Sequence, residues 1–243
     1  AWENAKLYEN IQRASEVKSD FISIASHQLR TPLSHFKWAL SMLLSGEIGS
    51  LRSKKQKEML EALYARTETM ISLVGQLLDI ARIETGPFPT ETSPFNPTPL
   101  INAFIQEHMP LIEEKNLIFH SQIAPDLPVV RIYKEHLETI LTVLLENAIR
   151  YTPSQGEITL IASSPKKNEL LFMLKDTGVG IPKKQQDRIF TRFFRADNAV
   201  AAHPNGTGLG LFYAKLLVEK QGGKIWFRSE ENKGTTFSVS LPV

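Results

Sequence analysis

Four groups of residues in this 243-residue chain have types and spacing that could do chemistry. His27 lies in the stretch Phe21–Leu33, with Pro32 five residues after it. Far downstream come Asn147, then Asp176 with Gly178 and Gly180, then Gly206-Thr207-Gly208-Leu209-Gly210. A lone helical histidine carries little information. Glycines feeding a helix N-terminus offer unpaired N–H groups and a favourable dipole end to phosphate. A nucleophile-like histidine and a phosphate donor's pocket on one chain point to phosphoryl transfer onto His27.

Each part of the pocket has its own chemistry and its own ordinary alternative. Asp176 ends an apolar strand, Leu170–Leu174, where a carboxylate can accept a hydrogen bond from an exocyclic amine such as adenine's. Gly178 and Gly180 let backbone come close or take positive φ, although Asp-x-Gly is also a common turn signal. Gly206–Gly210 precedes a helix but follows no strand directly, so the dinucleotide fingerprint fails on context. Asn147 sits inside a helix, where asparagine is unfavourable. Its carbonyl oxygen suits a magnesium ion that keeps several waters. Arg150 could meet phosphate charge and Tyr151 could stack on a base; the plainer reading is a solvated polar helix face.

The elements that must hold these residues follow from periodicity. Leu7, Ile11, Ala14, Val17, Phe21 and Ile24 step close to a heptad, and Leu60, Leu63, Thr67, Met70, Val74, Leu77 and Ala81 repeat the pattern. Two amphipathic helices joined at Gly46–Ser50 make a hairpin. Two helices bury little alone, so the expectation is a homodimeric four-helix bundle; the alternative is a hairpin packed on the second domain. Pro32 removes a backbone hydrogen bond to Gln28 and softens or bends the helix beside His27.

Six glycine and proline positions between Gly86 and Pro99 read as a linker. Beyond it, helices are expected at Pro99–Lys115, Lys134–Tyr151, Arg188–Phe194 and Gly210–Gln221. Strands are expected at Leu117–Ile123, Val129–Ile132, Glu157–Ser163, Glu169–Lys175, Lys224–Ser229 and Thr235–Leu241. The intermixing indicates an α/β sandwich with helices on one face of a mixed sheet. The whole chain is therefore an α+β multidomain protein. It divides into a coiled-coil helix (1–19), a helical dimerisation and phosphotransfer hairpin (20–86), a linker (87–98) and a nucleotide-binding domain (99–243).

Composition sets outer limits. The net charge of +2 argues for neither nucleic acid nor a membrane surface. The absence of cysteine excludes disulfide and thiolate chemistry. There is no apolar run long enough to span a membrane, and the N-terminus lacks signal-peptide features. With no initiator Met, the chain reads as a fragment of something longer. His35, His108, His120, His136 and His203 lack partners at metal spacing and are taken as structural or solvated.

Asn147, Asp176–Gly180 and Gly206–Gly210, in that order, resemble the N, G1 and G2 boxes of the ATP-binding domain shared by histidine kinases, gyrase, Hsp90 and MutL, a Bergerat-type (GHKL) fold. Residues 188–195, with Phe190, Phe193 and Phe194, resemble the kinases' F box. Lys233-Gly-Thr-Thr236-Phe237 resembles their closing strand, and His27–Leu33 their H box. The resemblance spans about residues 15–243 and identifies a sensor histidine kinase of a two-component system. It implies autophosphorylation of His27 by ATP and phosphotransfer to an aspartate of a response regulator. Its implied cofactors are ATP and Mg²⁺, with Asn147 as the metal ligand, Asp176 reading adenine, and Arg150, Tyr151, Gly178, Gly180, Gly206, Thr207, Gly208, Leu209, Gly210 and Thr236 shaping the nucleotide site. Thr191–Asn205 would be a mobile lid. The expected setting is the cytoplasm, with a homodimer as the working unit, and Trp2–Tyr8 resembles the last helix of a GAF sensor domain.

The departures from the family pattern matter. Gln28 replaces the usual acidic neighbour of the histidine, and Val143 replaces the usual asparagine or water-activating glutamate one turn before Asn147. Val143 disfavours a gyrase- or Hsp90-type ATPase; both departures favour a non-catalytic or phosphatase-dominant scaffold as the remaining alternative. Thr31, one turn from His27, matches the position that orients water for dephosphorylating the partner. The Gln28 amide can orient the imidazole but supplies no negative charge to the ring as Nε2 attacks. Gln28→Glu should therefore accelerate autophosphorylation in a labelling time course; an unchanged or slower rate contradicts this role.

Overall fold

The structure, a computed structural model, describes residues 31, 33–46, 53–85, 93–166, 168–204 and 206–243. The heptad Leu7–Ile24, His27, Gln28, Pro32 and the turn beyond Gly46 lie outside them, as does Asn205. The chain divides into two compact units, Ala1–Phe88 and Pro89–Val243. Among the described residues no helix is long and apolar enough to cross a membrane.

In the first unit, residues 33–45 form helix α1 and Lys54–Thr85 form α2. Lys37 of α1 pairs with Glu68 of α2 and lies 5.7 Å from the Tyr64 ring centroid, which sets the two helices side by side. Of the expected α2 seam, Thr67, Val74 and Ala81 are buried, whereas Leu63 and Met70 are each 51% exposed. Leu78 and Ile80, outside the seam, are buried too. The α2 hydroxyls of Thr67 and Thr69 bond back to the carbonyls of Leu63 and Ala65, so they carry no unmet polar demand into the helix face.

The second unit is a five-stranded mixed sheet of order β1-β2-β3-β5-β4, comprising Ile118–Ile123, Glu157–Lys166, Glu169–Asp176, Lys224–Glu230 (β4) and Gly234–Pro242 (β5). Only β1 and β2 are parallel. Helices α3 (Pro97–Glu114), α4 (Lys134–Tyr151) and α6 (Gly210–Lys220) pack with the sheet and each other; α5 (Asp197–Ala202) is a short segment between β3 and α6. Strand alternation is clean on β3, where Leu170, Phe172, Leu174 and Asp176 are buried. The facing stripe of α4 is Leu137, Ile140, Leu141, Leu144, Leu145 and Ala148, all buried, as the 3.6-residue repeat requires. Helix α3 starts two residues before Pro99 because Asn96 accepts from the Thr98 N–H at 2.9 Å and Pro97 takes the first helical turn.

Two expected elements differ. Val129–Ile132 is no strand: Val130 makes one antiparallel bridge to Phe95, Pro128 offers no N–H, and Val129 is 53% exposed. Arg188–Phe194 is no helix. A 3-10 turn occupies Lys183–Arg188 instead, and Phe193 takes φ 60°, which a right-handed helix excludes. The apolar residues that suggested a helix are used singly: Ile189 is buried, and Phe190 packs edge-on to Phe227 and Phe237 at 5.8 and 6.4 Å.

Gly234 opens β5 at φ 113°, and a Cβ there would lie 2.0 Å from the Asp176 carbonyl oxygen. Gly234→Ala combines a left-handed strain with a backbone clash, so we expect a loss of about 1–3 kcal/mol in urea unfolding; an unchanged midpoint contradicts this packing.

Candidate functional site

Asp176 ends β3 with 7% of its surface exposed. Its Oδ1 accepts two backbone hydrogen bonds, from Gly178 at 2.8 Å and from Thr235 at 3.1 Å. Burial raises its pKa from the ordinary 3.8 to about 6, and the two N–H donors pull it back only in part. Near neutral pH it is a buried anion with one oxygen saturated and the other available to a donor.

The loop after Asp176 is pressed against the end of α4. The Val179 N–H donates to the Tyr151 carbonyl at 3.2 Å, and a Cβ on Gly178 would meet that same oxygen at 2.7 Å. Gly180 has φ 64°, with a would-be Cβ 2.1 Å from the Glu230 carbonyl at the β4–β5 turn. These glycines therefore serve close backbone packing, which places Asp176 next to Tyr151.

Along α4, Asn147, Arg150 and Tyr151 are half-buried. The Asn147 amide makes no hydrogen bond among the described residues, and no carboxylate there pairs with Arg150. Val143, one turn before Asn147, faces the start of α6, where a Cβ on Gly210 would sit 3.4 Å from its Cγ1. Among the described residues no side chain caps the N-terminus of α6; Thr207 Oγ1 accepts from the Leu209 N–H at 3.3 Å. An unused amide oxygen on α4 thus shares this region with an uncapped helix N-terminus, a set that fits a hydrated magnesium ion and a polyphosphate. Among the described residues no group of three His, Asp or Glu side chains could hold a metal by itself.

Between these parts lies α5, which the sequence left unpatterned. It forms because Arg195 folds back over it: its guanidinium donates to the carbonyls of Ala199 (3.1 Å), His203 and Pro204 (2.8 Å). Arg195 also reaches the Tyr151 hydroxyl at 3.5 Å, and His203 sits edge-on to the Tyr151 ring at 5.8 Å. Asn198 donates to the Val179 and Gly180 carbonyls at 3.3 and 3.0 Å, and Gln185 and Asp197 bond reciprocally at 2.6 and 3.0 Å. Gly208, φ 69°, packs so tightly on Phe193 that a Cβ would lie 2.7 Å from its carbonyl carbon, and a Cβ on Gly206 would meet the Arg195 guanidinium at 3.0 Å.

The structure thus brings Asn147, Arg150, Tyr151, Asp176, Gly178, Gly180, Gly206, Thr207, Gly208, Leu209 and Gly210 into one region of the second unit. Of the two threonines at the start of β5, Thr235 is the one that meets Asp176. Alternation along β5 places Thr235, like Phe237, on the Asp176 side, while Thr236 pairs with Lys175 on the opposite face. Arg195, Asn198 and Thr235 join this region without any sign of it in the periodicity. An arginine between two aromatics and an alanine-rich hexamer was the available signal for the first.

Asp176→Asn should leave the fold intact, because the amide oxygen still accepts from Gly178 and Thr235. It should abolish recognition of an amine donor, because an NH₂ now faces it. Since the folded pKa lies above 3.8, the native state holds the extra proton, and Asp176 makes wild-type stability fall as pH rises from about 4 towards 6. The variant should lack that component and be at least as stable at pH 7.5; a lower melting temperature there refutes the assignment.

Comparison with known proteins agrees with this geometry. The family model "Histidine kinase-, DNA gyrase B-, and HSP90-like ATPase" matches residues 133–243, and "His Kinase A (phospho-acceptor) domain" matches residues 17–86. The circadian input-output histidine kinase CikA of Synechococcus elongatus is 32% identical over 237 residues, covering 95% of this chain and 31% of the relative. The sensor histidine kinase WalK of Bacillus subtilis is 30% identical over 233 residues, covering 95% and 38%. This chain therefore spans about a third of the curated relatives it matches. Among solved structures, full-length ShkA in complex with AMPPNP superposes with a TM-score of 0.73 at 25% identity, over 93% of this chain and 46% of that one. The catalytic domain of ThkA gives 0.54 at 25% identity, over 63% and 96%. A phospho-acceptor helical domain followed by an ATPase-type sheet domain whose buried aspartate, glycine loops and helical asparagine lie together places this chain in the sensor histidine kinase family.

Proposed function

We propose that the chain autophosphorylates His27 from ATP and passes the phosphoryl group to an aspartate of a response regulator. The observation that carries this reading is the buried Asp176 carboxylate, held by Gly178 and Thr235 beside the Tyr151 end of α4. Its second oxygen would accept from the adenine amine, Tyr151 would flank the base, and Arg150 would meet phosphate. Mg²⁺ held at Asn147 would neutralise phosphate charge when bound. The segment from Thr191 to Asn205 would act as the lid, opening by release of α5 from the Gly180 loop.

Val143 supports a kinase over a hydrolase. A valine packed toward Gly210 has no atom that can take a proton from water, so nothing at that position would activate water against the γ-phosphate. In the first unit, Phe36, Trp38, Met59, Leu63 and Met70 are exposed apolar residues on a helical pair. Covering them in a four-helix homodimer supports the dimeric reading. Thr31, helical and exposed, would orient water when the same protein dephosphorylates its regulator.

Incubation with γ-labelled ATP and Mg²⁺ tests the proposal. Acid-labile, base-stable label on the protein, absent from His27→Ala, is the expected result. Free phosphate without protein label would indicate an ATPase, and neither product would indicate a scaffold.

A further inference from the structure

The C-terminal end of α4, which carries Arg150 and Tyr151, is closed by a lysine from a different helix. The last four carbonyls of a helix have no partner within it. On α4 these belong to Ala148, Ile149, Arg150 and Tyr151. The first is met by the Thr152 N–H at 3.0 Å and the last by the Val179 N–H at 3.2 Å. The two between are met by one group, the Lys115 ammonium, which donates to Ile149 and, at 2.8 Å, to Arg150.

Lys115 is not a surface side chain that happens to lie there. It is the C-cap residue of α3, and Asn116 after it takes φ 54°. The Asn116 carbonyl accepts from the Gln155 N–H at 2.8 Å, which ties the end of α3 to the turn leaving α4. Glu114, Glu146 and His203 line the same cleft of about 480 Å³, yet the ammonium goes to the helix carbonyls. A cation at a helix C-terminus also meets the negative end of the dipole. Burial first, and Arg150 second, pull the Lys115 pKa below the usual lysine value, as expected for a part-buried ammonium beside a guanidinium.

We propose that Lys115 is a positioning residue for the nucleotide: by holding the carbonyls of Ile149 and Arg150 it fixes the last turn of α4, and with it the Arg150 guanidinium and the Tyr151 ring. It rests on the nucleotide-binding reading above. Without the lysine, two carbonyls at the site's edge lose their donor and the turn has to move or take up water. Lys115 acts through the carbonyls of Ile149 and Arg150, so its loss is expected to fall on binding and not on the chemical step.

The test uses the full 243-residue chain with Lys115→Met, which keeps an unbranched stem and removes the donors, and Lys115→Arg, which restores them. The readouts are the MgADP Kd by calorimetry and the ATP KM and kcat for labelling of His27. For Lys115→Met we expect Kd and KM to rise about tenfold with kcat at saturating ATP within about twofold of the parent, and Lys115→Arg to recover most of the affinity. Ile101→Val, a core change in α3, controls for a general loss of stability and should leave Kd unchanged. If Lys115→Met does not fold, Lys115→Gln takes its place in the same scheme, with a smaller loss expected. Parent-like Kd in the donor-free variant, a loss that falls on kcat, or equal loss in Ile101→Val overturns the proposal. A parent chain that binds no MgADP removes the nucleotide reading and this inference together.

Discussion

The second unit depends on how one buried carboxylate is satisfied. Asp176 is out of water at the end of β3, and its Oδ1 draws in the Gly178 N–H from its own loop and the Thr235 N–H from β5. An unpaired buried anion is costly, so these bonds fix both the loop and the start of β5. They leave the carboxylate with a raised pKa and one oxygen uncommitted. That remainder of unmet demand is what a ligand with an amine donor can use. The same carboxylate therefore organises the backbone with Oδ1 and leaves its other oxygen open to a donor.

From that point the site is assembled by backbone contacts. The loop after Asp176 closes the Tyr151 carbonyl through Val179, α5 closes the carbonyls of Val179 and Gly180 through Asn198, and Arg195 closes the carbonyls at the far end of α5. Each link satisfies groups that a helix end or a loop leaves open. The chain of links runs from α4 to the α5 segment without a hydrophobic core of its own.

Much of the second unit is legible in the sequence. The α4 stripe from Leu137 to Ala148 is buried as its period requires, and the β2, β3 and β5 runs pair at nearly the expected limits. Failures came where an apolar residue serves something other than its own element. Phe190, Phe193 and Phe194 have helical spacing, but Phe190 joins an aromatic cluster with Phe227 and Phe237, and Phe193 adopts a left-handed backbone beside Gly208. Val129–Ile132 has strand composition but no strand to pair with. Alanine-rich α5 has no pattern to read, since its order comes from the single distant-reaching guanidinium of Arg195.

The sequence by itself determined which residue types exist at which separations: a histidine near a proline, an asparagine inside an amphipathic helix, an aspartate ending an apolar strand, and glycines before a helix. Those separations are local facts about the chain and carried the family and the fold class. Only the tertiary structure decided that Thr235 rather than Thr236 meets Asp176, that Gly178 and Gly180 are small because carbonyls of Tyr151 and Glu230 lie against them, and that Lys115 closes the end of a helix through carbonyls 34 and 35 residues away. The reason is physical. Such contacts are set by which unpaired carbonyl or N–H happens to face a donor or acceptor after the sheet and helices pack, and no spacing along the chain encodes that meeting.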